Sequence, residues 1–321
     1  GASGSLPVTI NDQWPAGFGL RTSEKLRLQY GFPENAGISS ALLNARIDSI
    51  ANAGLEAKAY PGCEVIVARK GIVIFHKTYG HHTFDKRVEM DKNDLFDLAS
   101  VTKVSSSLPG LMILETEGRF STEEKLGRYI PEFRNSDKGD LVMKDLLAHQ
   151  AGLTPSIVPW RNTLRRDSIY KKSAIRYVPS ERFPVKIAEK LYINRNYRTK
   201  MFNEIKKTGL GEKKYVYSDL TFILTPAIVT YITGENWTEF VTRRIYHKIG
   251  AFDIVFNPYL KYSISRIVPT ENDTFFRLQQ LQGTVHDENA AMLGGISGHA
   301  GLFATANDLL KLMELYRRMG E

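Results

Sequence analysis

The sequence predicts an α+β fold in which a helical lobe is inserted into a sheet lobe. Three observations carry that reading. Two β-branched runs, Val65-Ile66-Val67-Ala68 and Ile72-Val73-Ile74-Phe75, stand close together near the start. Helical periodicity dominates the middle of the chain. A last amphipathic segment closes it, running from Ala306 through Leu309, Leu310, Leu312, Met313 and Leu315.

Taken in order, residues 6 to 37 are rich in Pro, Gly and polar side chains without a sustained period, which suits an extended lead-in. The segment Gly1-Ala2-Ser3-Gly4-Ser5 before it reads as a cloning remnant or linker, with any targeting peptide outside the sequence. Ser39 or Ser40 then caps a helix with Leu43, Ile47 and Ile50 on its apolar face, ending near Gly54. The two β-branched runs, joined by Arg69-Lys70-Gly71, read as a hairpin whose inner faces need a helix to cover them. From Leu95 the pattern turns helical, with Leu108, Leu111, Met112 and Leu114 running to Gly118 and a kink at Pro109-Gly110. Shorter helices are expected at Lys125 to Tyr129 and at Met143 to His149. A longer one starts near Ser218 and carries Phe222, Ile223, Ile228 and Ile232 before Gly234.

With 321 residues, of which 42% are hydrophobic, the chain can bury a sizeable core in one large domain or two smaller ones. No apolar stretch approaches the roughly 20 residues of a membrane-spanning helix. The single cysteine, Cys63, cannot form an internal disulfide, and no Cys or His cluster has zinc-like spacing, so no structural metal is expected. Phosphate-loop and dinucleotide motifs are missing as well, and no cofactor is expected. The net charge of +8 is concentrated in one place. Residues 161 to 214 hold sixteen Lys and Arg against five Asp and Glu, a local +11, so the remainder of the chain is acidic by three. Tyr170, Tyr177, Tyr192 and Tyr197 interleave with those bases, which suits an anionic polymer, although a charge run more often forms a solvated face. Nucleic acid is not expected as a partner.

The chemistry concentrates at Ser100-Val101-Thr102-Lys103, where an apolar helix begins. A Ser-x-x-Lys spacing puts hydroxyl and ammonium on one helical face, so a lysine can accept the serine proton. The helix N-terminus adds partial positive charge for a developing oxyanion. Spacing alone is weak evidence, because Ser168-Ile169-Tyr170-Lys171 repeats it inside the basic insertion. For either copy a capping serine beside a solvated lysine is the plain alternative.

Context singles out the first copy. Phe96-Asp97-Leu98-Ala99-Ser100-Val101-Thr102-Lys103, then Leu146-Leu147-Ala148-His149-Gln150-Ala151-Gly152-Leu153, then Tyr217-Ser218-Asp219, then Gly301-Leu302-Phe303-Ala304-Thr305-Ala306-Asn307-Asp308-Leu309 resemble, in that order, the serine beta-lactamase-related family. That group holds class C beta-lactamases, D-alanyl-D-alanine peptidases and related esterases. Leu6-Pro7-Val8-Thr9, Ala16-Gly17-Phe18-Gly19-Leu20, Tyr30-Gly31-Phe32-Pro33-Glu34 and Gly283-Thr284-Val285-His286-Asp287-Glu288-Asn289-Ala290 are most similar to the lactamase-like half of bacterial proteins with an upstream family-three glycoside hydrolase.

The resemblance implies an acyl-enzyme serine hydrolase acting on an ester or amide related to the bacterial cell wall. It assigns Ser100 as nucleophile, Lys103 as proton acceptor or electrostatic partner, and Tyr217 as a proton relay. Asp219 stands where the family usually has an Asn that donates to substrate. An ionised carboxylate only accepts, which puts penicillin-like or amide recognition in doubt and leaves Asp219 as a substrate-binding candidate or a helix cap. His149 can be a general base or a buried hydrogen-bonded histidine, the second being favoured. His286-Asp287-Glu288 lacks ligand spacing and reads as structural.

His299-Ala300-Gly301 has the form of the family's third motif, which makes His299 a second substrate-binding candidate. The segment that follows resembles instead the Gly-Gly-Leu-x-Ser-Thr-Ala-x-Asp-Leu stretch preceding that motif, and this reading is favoured. It implies a beta-lactamase/transpeptidase-like α+β fold whose C-terminal strands lie outside the sequence. The expected organisation is a linker or upstream tail over 1–37 and the lactamase-related domain over 38–321, with the basic insertion at about 155–214. A hairpin at about 63–79 left with an open edge invites pairing with another chain, or with the missing strands. The family's substrates imply a periplasmic or otherwise extracytoplasmic location. The competing readings are a penicillin-binding-like module without turnover and an anionic-polymer-binding module attached to a glycosidase.

Overall fold

The structure, a computed structural model, describes residues 4–6, 8–16, 18–20 and 28–320. The chain divides into two compact units, one formed by residues 1–92, 246–252 and 306–321, the other by 93–245 and 253–305. In chain order the second is an insertion into the first. Of the lead-in, Gly1-Ala2-Ser3, Pro7, Gly17 and residues 21–27 lie outside the described residues. What is described there is short: Gly4–Ser5 pairs antiparallel with Gly19–Leu20, and a single turn of 3-10 helix spans Pro33–Ala36.

The first unit holds the hairpin and its covering helices. The Ser39 hydroxyl accepts the Leu42 N–H at 3.3 Å, so the helix Ser40–Glu56 starts where the capping residue predicts. Its inward stripe differs from the expected one. Leu43 and Ile47 are half-buried and Ala51 buried, following the i, i+4, i+8 row, while Ile50 falls off that row and is 71% exposed. The helix also runs past Gly54, and the Tyr60 hydroxyl donates to the Ala51 carbonyl along its last turn.

The strands Gly62–Arg69 and Ile72–Gly80 pair antiparallel, with a register shift between Val67 and Ala68. Their two-residue turn places Lys70 at φ +54° and Gly71 at φ +79°, the twist-matched hairpin turn that a glycine makes accessible. Gln29–Tyr30 adds a parallel strand to Ile72–Gly80, which becomes the middle of the sheet, so that Val73, Ile74 and Phe75 are all buried. The first helix packs on this middle strand and the last helix, Ala306–Arg317, packs on Gly62–Arg69. Among the described residues no strand pairs with the outer edge of Gly62–Arg69.

In the second unit, Leu302–Ala304 lies between Val255–Phe256 and Phe96–Asp97, antiparallel to both. This corrects the helical reading from Leu95: Leu95 is bridged to Ile267 and Phe96–Asp97 is a strand, because tertiary pairing overrides a local pattern this short. The expected kink at Pro109 is instead a change of winding. Proline offers no N–H to the carbonyl four residues back. The chain winds Lys103–Ser107 as a π-helical turn, and Pro109 falls in the first turn of the helix Leu108–Thr116, where its missing donor costs little.

The apolar helix Leu220–Thr233 ends at Gly234, as its periodicity predicts. The basic insertion folds as a three-stranded sheet, Ile175–Arg176, Leu191–Ile193 and Val185–Ala188, followed by the helix Tyr197–Lys207. Ile175, Ile187, Leu191, Ile193, Met201, Phe202 and Ile205 are buried, whereas most of its Lys and Arg side chains are exposed. Lys138 is the buried base nearby; it donates to the carbonyls of Lys206 and Thr208 and so caps that helix's C-terminus.

One glycine sets how closely the elements of this unit approach. A Cβ on Gly298 would lie 2.4 Å from both the Phe222 carbonyl oxygen and the Ser107 hydroxyl, and the Ser107 hydroxyl donates to the Gly298 carbonyl at 2.8 Å. Gly298→Ala is therefore expected to cost about 1–3 kcal/mol through overpacking. Gly209→Ala, which adds a methyl group to open space, should change stability by no more than about 0.5 kcal/mol. Urea unfolding midpoints of the two variants check this.

Candidate active site

The strand Phe96–Asp97 delivers the chain to a sharp turn. The Leu98 N–H bonds the Leu302 carbonyl at 2.9 Å, Ala99 takes a left-handed φ of +46°, and Ser100 follows, exposed, where the helix begins. Bonds from Val101 to Leu98, Thr102 to Ala99 and Lys103 to Ser100, at 2.9–3.0 Å, wind the start tightly. A three-residue step on this winding brings the two side chains together, and Lys103 Nζ donates to Ser100 Oγ at 2.8 Å.

Lys103 is only 4% exposed. Its ammonium lies 2.7 Å from Asp219 Oδ1, a charge pair without hydrogen-bond alignment, and reaches the His299 carbonyl at 3.4 Å. The rings of Tyr217 and Phe222 lie 4.9 and 5.8 Å from Nζ. The second Ser-x-x-Lys copy does not form this pairing. Ser168 sits in a turn at φ +62°, and Lys171 Nζ donates to the Asn162 carbonyl.

The segment carrying Tyr217 and Asp219 is fixed from both sides. The Val216 and Ser218 N–H groups bond the carbonyl and Nδ1 of His149, at 2.9 and 3.0 Å. The Ser218 hydroxyl donates to the Thr154 carbonyl, and the Asp219 N–H to that of Pro155. Because Nδ1 accepts, the His149 proton is assigned to Nε2. Burial, followed by the charge of Lys103, lowers its titration below the ordinary histidine range. His149 is half-buried, its ring 4.6 Å from that of Tyr217, and it braces the tyrosine.

Residues 47–321 match the family model described as Beta-lactamase. The chain belongs to the beta-lactamase family. This family member is 29% identical over 310 residues to an Escherichia coli K12 protein named "Putative D-alanyl-D-alanine carboxypeptidase", in a match covering 88% of the chain and 65% of that relative. The chain thus spans somewhat less than two thirds of that relative's length. Among solved structures, an octameric penicillin-binding protein homologue from Pyrococcus abyssi superposes with a TM-score of 0.63 at 16% identity, over 86% of the chain and 57% of the homologue. EstCE1, a hydrolase with promiscuous acyltransferase activity, gives 0.60 at 18% identity, over 87% of the chain and 73% of EstCE1. At these identities the structures establish the fold alone, which is beta-lactamase/transpeptidase-like and α+β as expected.

Within this family member two expectations change. Asp219 does not cap the helix Leu220–Thr233; the Ser218 hydroxyl accepts the Leu220 N–H at 3.3 Å, which leaves the Asp219 carboxylate turned to Lys103. His299 offers no side chain to a substrate. Its imidazole is 1% exposed and held between Ser297 Oγ at Nδ1 and Asp287 Oδ1 at Nε2, each at 2.8 Å, so only its carbonyl faces Lys103. Tyr217 is 44% exposed and shows Lys103 its ring face.

The His286-Asp287-Glu288 segment is tied into the same framework. Asp287 caps the helix Glu288–Met292 through the Ala290 N–H. Burial alone would raise its carboxyl, but the His299 imidazole and this cap outweigh burial and hold it far below the usual carboxylate range. Among the described residues no group of three or more His, Cys, Asp or Glu side chains is placed to hold a metal ion.

His286 titrates above the ordinary histidine range, chiefly because it hydrogen-bonds Asp97. A raised folded-state value contributes stability that is fully present below about pH 6.5, the unfolded value, and is lost as pH rises through the folded one. Unfolding free energy should therefore decline from about pH 6.5 upward, and His286→Asn should flatten that limb. Urea midpoints at several pH values read it.

Proposed function

We propose that the chain is a serine hydrolase that forms an acyl-enzyme on Ser100 and acts on an ester or amide of cell-wall origin, with esters preferred. The carrying observation is the exposed Ser100 hydroxyl held 2.8 Å from the buried Lys103 ammonium. In this reading the Ser100 oxygen attacks the acyl carbon and its proton passes to Lys103. An ammonium has no lone pair, so Lys103 accepts that proton in its neutral form, having first released one to solvent, and Asp219, 2.7 Å away, stays ionised beside it. The positive end of the helix beginning at Ser100 steadies the oxyanion. The leaving group collects its proton from Lys103, or from the Tyr217 phenol once that ring turns. Water then attacks the ester on Ser100 by the same steps in reverse.

The ester preference follows from Asp219, which cannot donate to an amide substrate's carbonyl while ionised. An extracytoplasmic location and an upstream glycosidase belong to the same reading, the first supported by the carboxypeptidase name of the relatives, the second by sequence resemblance only. The test is intact-mass analysis after exposure to a fluorophosphonate and to a fluorescent penicillin, followed by peptide mapping. Labelling of Ser100 by the phosphonate, with turnover of p-nitrophenyl acetate well above that of a beta-lactam, supports the proposal. Asp219→Asn should raise penicillin labelling relative to ester turnover. No modification of Ser100 by either probe refutes it and favours a binding module.

A further inference from the structure

The left-handed turn immediately before Ser100 is held by a side chain that the mechanism above does not use. Ala99 lacks the freedom of glycine, and a non-glycine residue at φ +46° persists only where its surroundings over-determine it. Asp97 supplies that constraint. Its carboxylate is 1% exposed; Oδ1 accepts the Ala99 N–H at 2.9 Å, and Oδ2 accepts both the N–H and Nδ1–H of His286, at 2.9 and 3.0 Å. His286 is anchored in turn. Arg277 donates to the carbonyls of Val285 and His286 and pairs through Nε with Asp273 at 2.7 Å, both side chains being fully buried. Asp273 also takes the N–H groups of Phe275, Phe276 and Arg277. A continuous set of bonds therefore runs from a buried ion pair to the residue preceding the nucleophile.

We propose that Asp97, held by His286, is the positioning residue for the nucleophile: it locks Ala99 in its turn and thereby aims the Ser100 hydroxyl at Lys103. This rests on the reading of Ser100 as nucleophile. Asp97 is buried and His286 is joined to the turn before Ser100 through it, so the pair is expected to act on the acylation rate and not on substrate affinity. Three carboxyl groups, Asp97, Asp287 and Glu271, bear on the imidazole, and Arg277 binds the carbonyl of the same residue. Protonation of His286 strengthens its hold on Asp97, so the contribution of the pair is largest on the acid side of the His286 titration.

The experiment compares the full chain with Asp97→Asn, His286→Ala and His286→Asn. It measures the rate of Ser100 modification by a fluorophosphonate, the burst rate constant for p-nitrophenyl acetate and its half-saturation concentration from about pH 5.5 to 9, and circular dichroism. Asp97→Asn puts an amide where two donors converge, and it should slow acylation about 100-fold with the half-saturation concentration of the burst within about twofold, the scale of a misplaced reacting group. His286→Ala should slow it about tenfold. His286→Asn keeps a donor near the Nδ1 position without the charge, and should recover most of that loss. The ratio of wild-type to His286→Asn rates should fall toward one as pH rises.

A folded Asp97→Asn variant that acylates at the wild-type rate, or loses only in the half-saturation concentration of the burst, overturns the proposal. If Asp97→Asn does not fold, the His286 pair decides, and His286→Asn performing no better than a slowed His286→Ala overturns it. Wild-type chain unmodified at Ser100 removes the nucleophile reading itself, a failure seen before any variant is compared.

Discussion

Ser100→Ala is expected to abolish acylation and turnover while leaving the fold intact. The hydroxyl is the exposed one at this turn, that of Thr102 being buried against the Leu302 N–H, and removing a nucleophile of this kind lowers kcat by the order of 10⁵-fold or more. Its structural share is small. Ser100 is exposed, and its hydroxyl accepts from Lys103. Even a serine acting as a helix cap contributes only about 0.5–2 kcal/mol. Ser168→Ala serves as the control, because Ser168 repeats the Ser-x-x-Lys spacing in an exposed turn, where Lys171 is engaged elsewhere. Intact-mass labelling, p-nitrophenyl acetate turnover and a thermal melt on both variants give the answer. Equal loss from the two changes would defeat the assignment of Ser100.

The contrast between those two serines shows what a sequence can and cannot reveal here. Proximity of Ser100 and Lys103 is legible because three residues on one helical start fix it locally. The long helices and the hairpin are legible for the same reason: period and turn chemistry act over a few residues. What escapes is whatever distant segments build together. Asp219 and Lys103 meet only once the Tyr217 segment is braced by His149, and nothing local marks a carboxylate as turned inward. The hint was its presence where the family usually has Asn, and the local rule pointed instead to a cap, which Ser218 supplies. The imidazole of His299 is likewise taken up by Ser297 and Asp287, a commitment invisible in His-Ala-Gly read as a motif. Asp97 and His286 belong to segments far apart in sequence, each reading as an ordinary polar residue until the turn at Ala99 is seen.

Lys103→Arg is expected to remove activity although it conserves charge. Arginine keeps its protons at any pH the protein survives, so it can still pair with Asp219 but cannot accept the proton of Ser100. The cavity adds a second obstacle. Lys103 Nζ is enclosed by Asp219, the His299 carbonyl and the rings of Tyr217 and Phe222, and a longer planar guanidinium cannot keep all of these contacts and the 2.8 Å approach to Ser100. Loss of proton transfer alone removes about 10²–10⁴-fold. The decisive measurement is the burst of p-nitrophenol on mixing with p-nitrophenyl acetate, followed from pH 6 to 9 beside a thermal melt. A folded Lys103→Arg chain with no burst at any pH is the expected result, and it shows that a positive charge at this place does not suffice without a group of lysine's size that can release its proton. A burst of wild-type size would show that Lys103 acts through its charge alone, and would move the general base to Asp219 or to Tyr217.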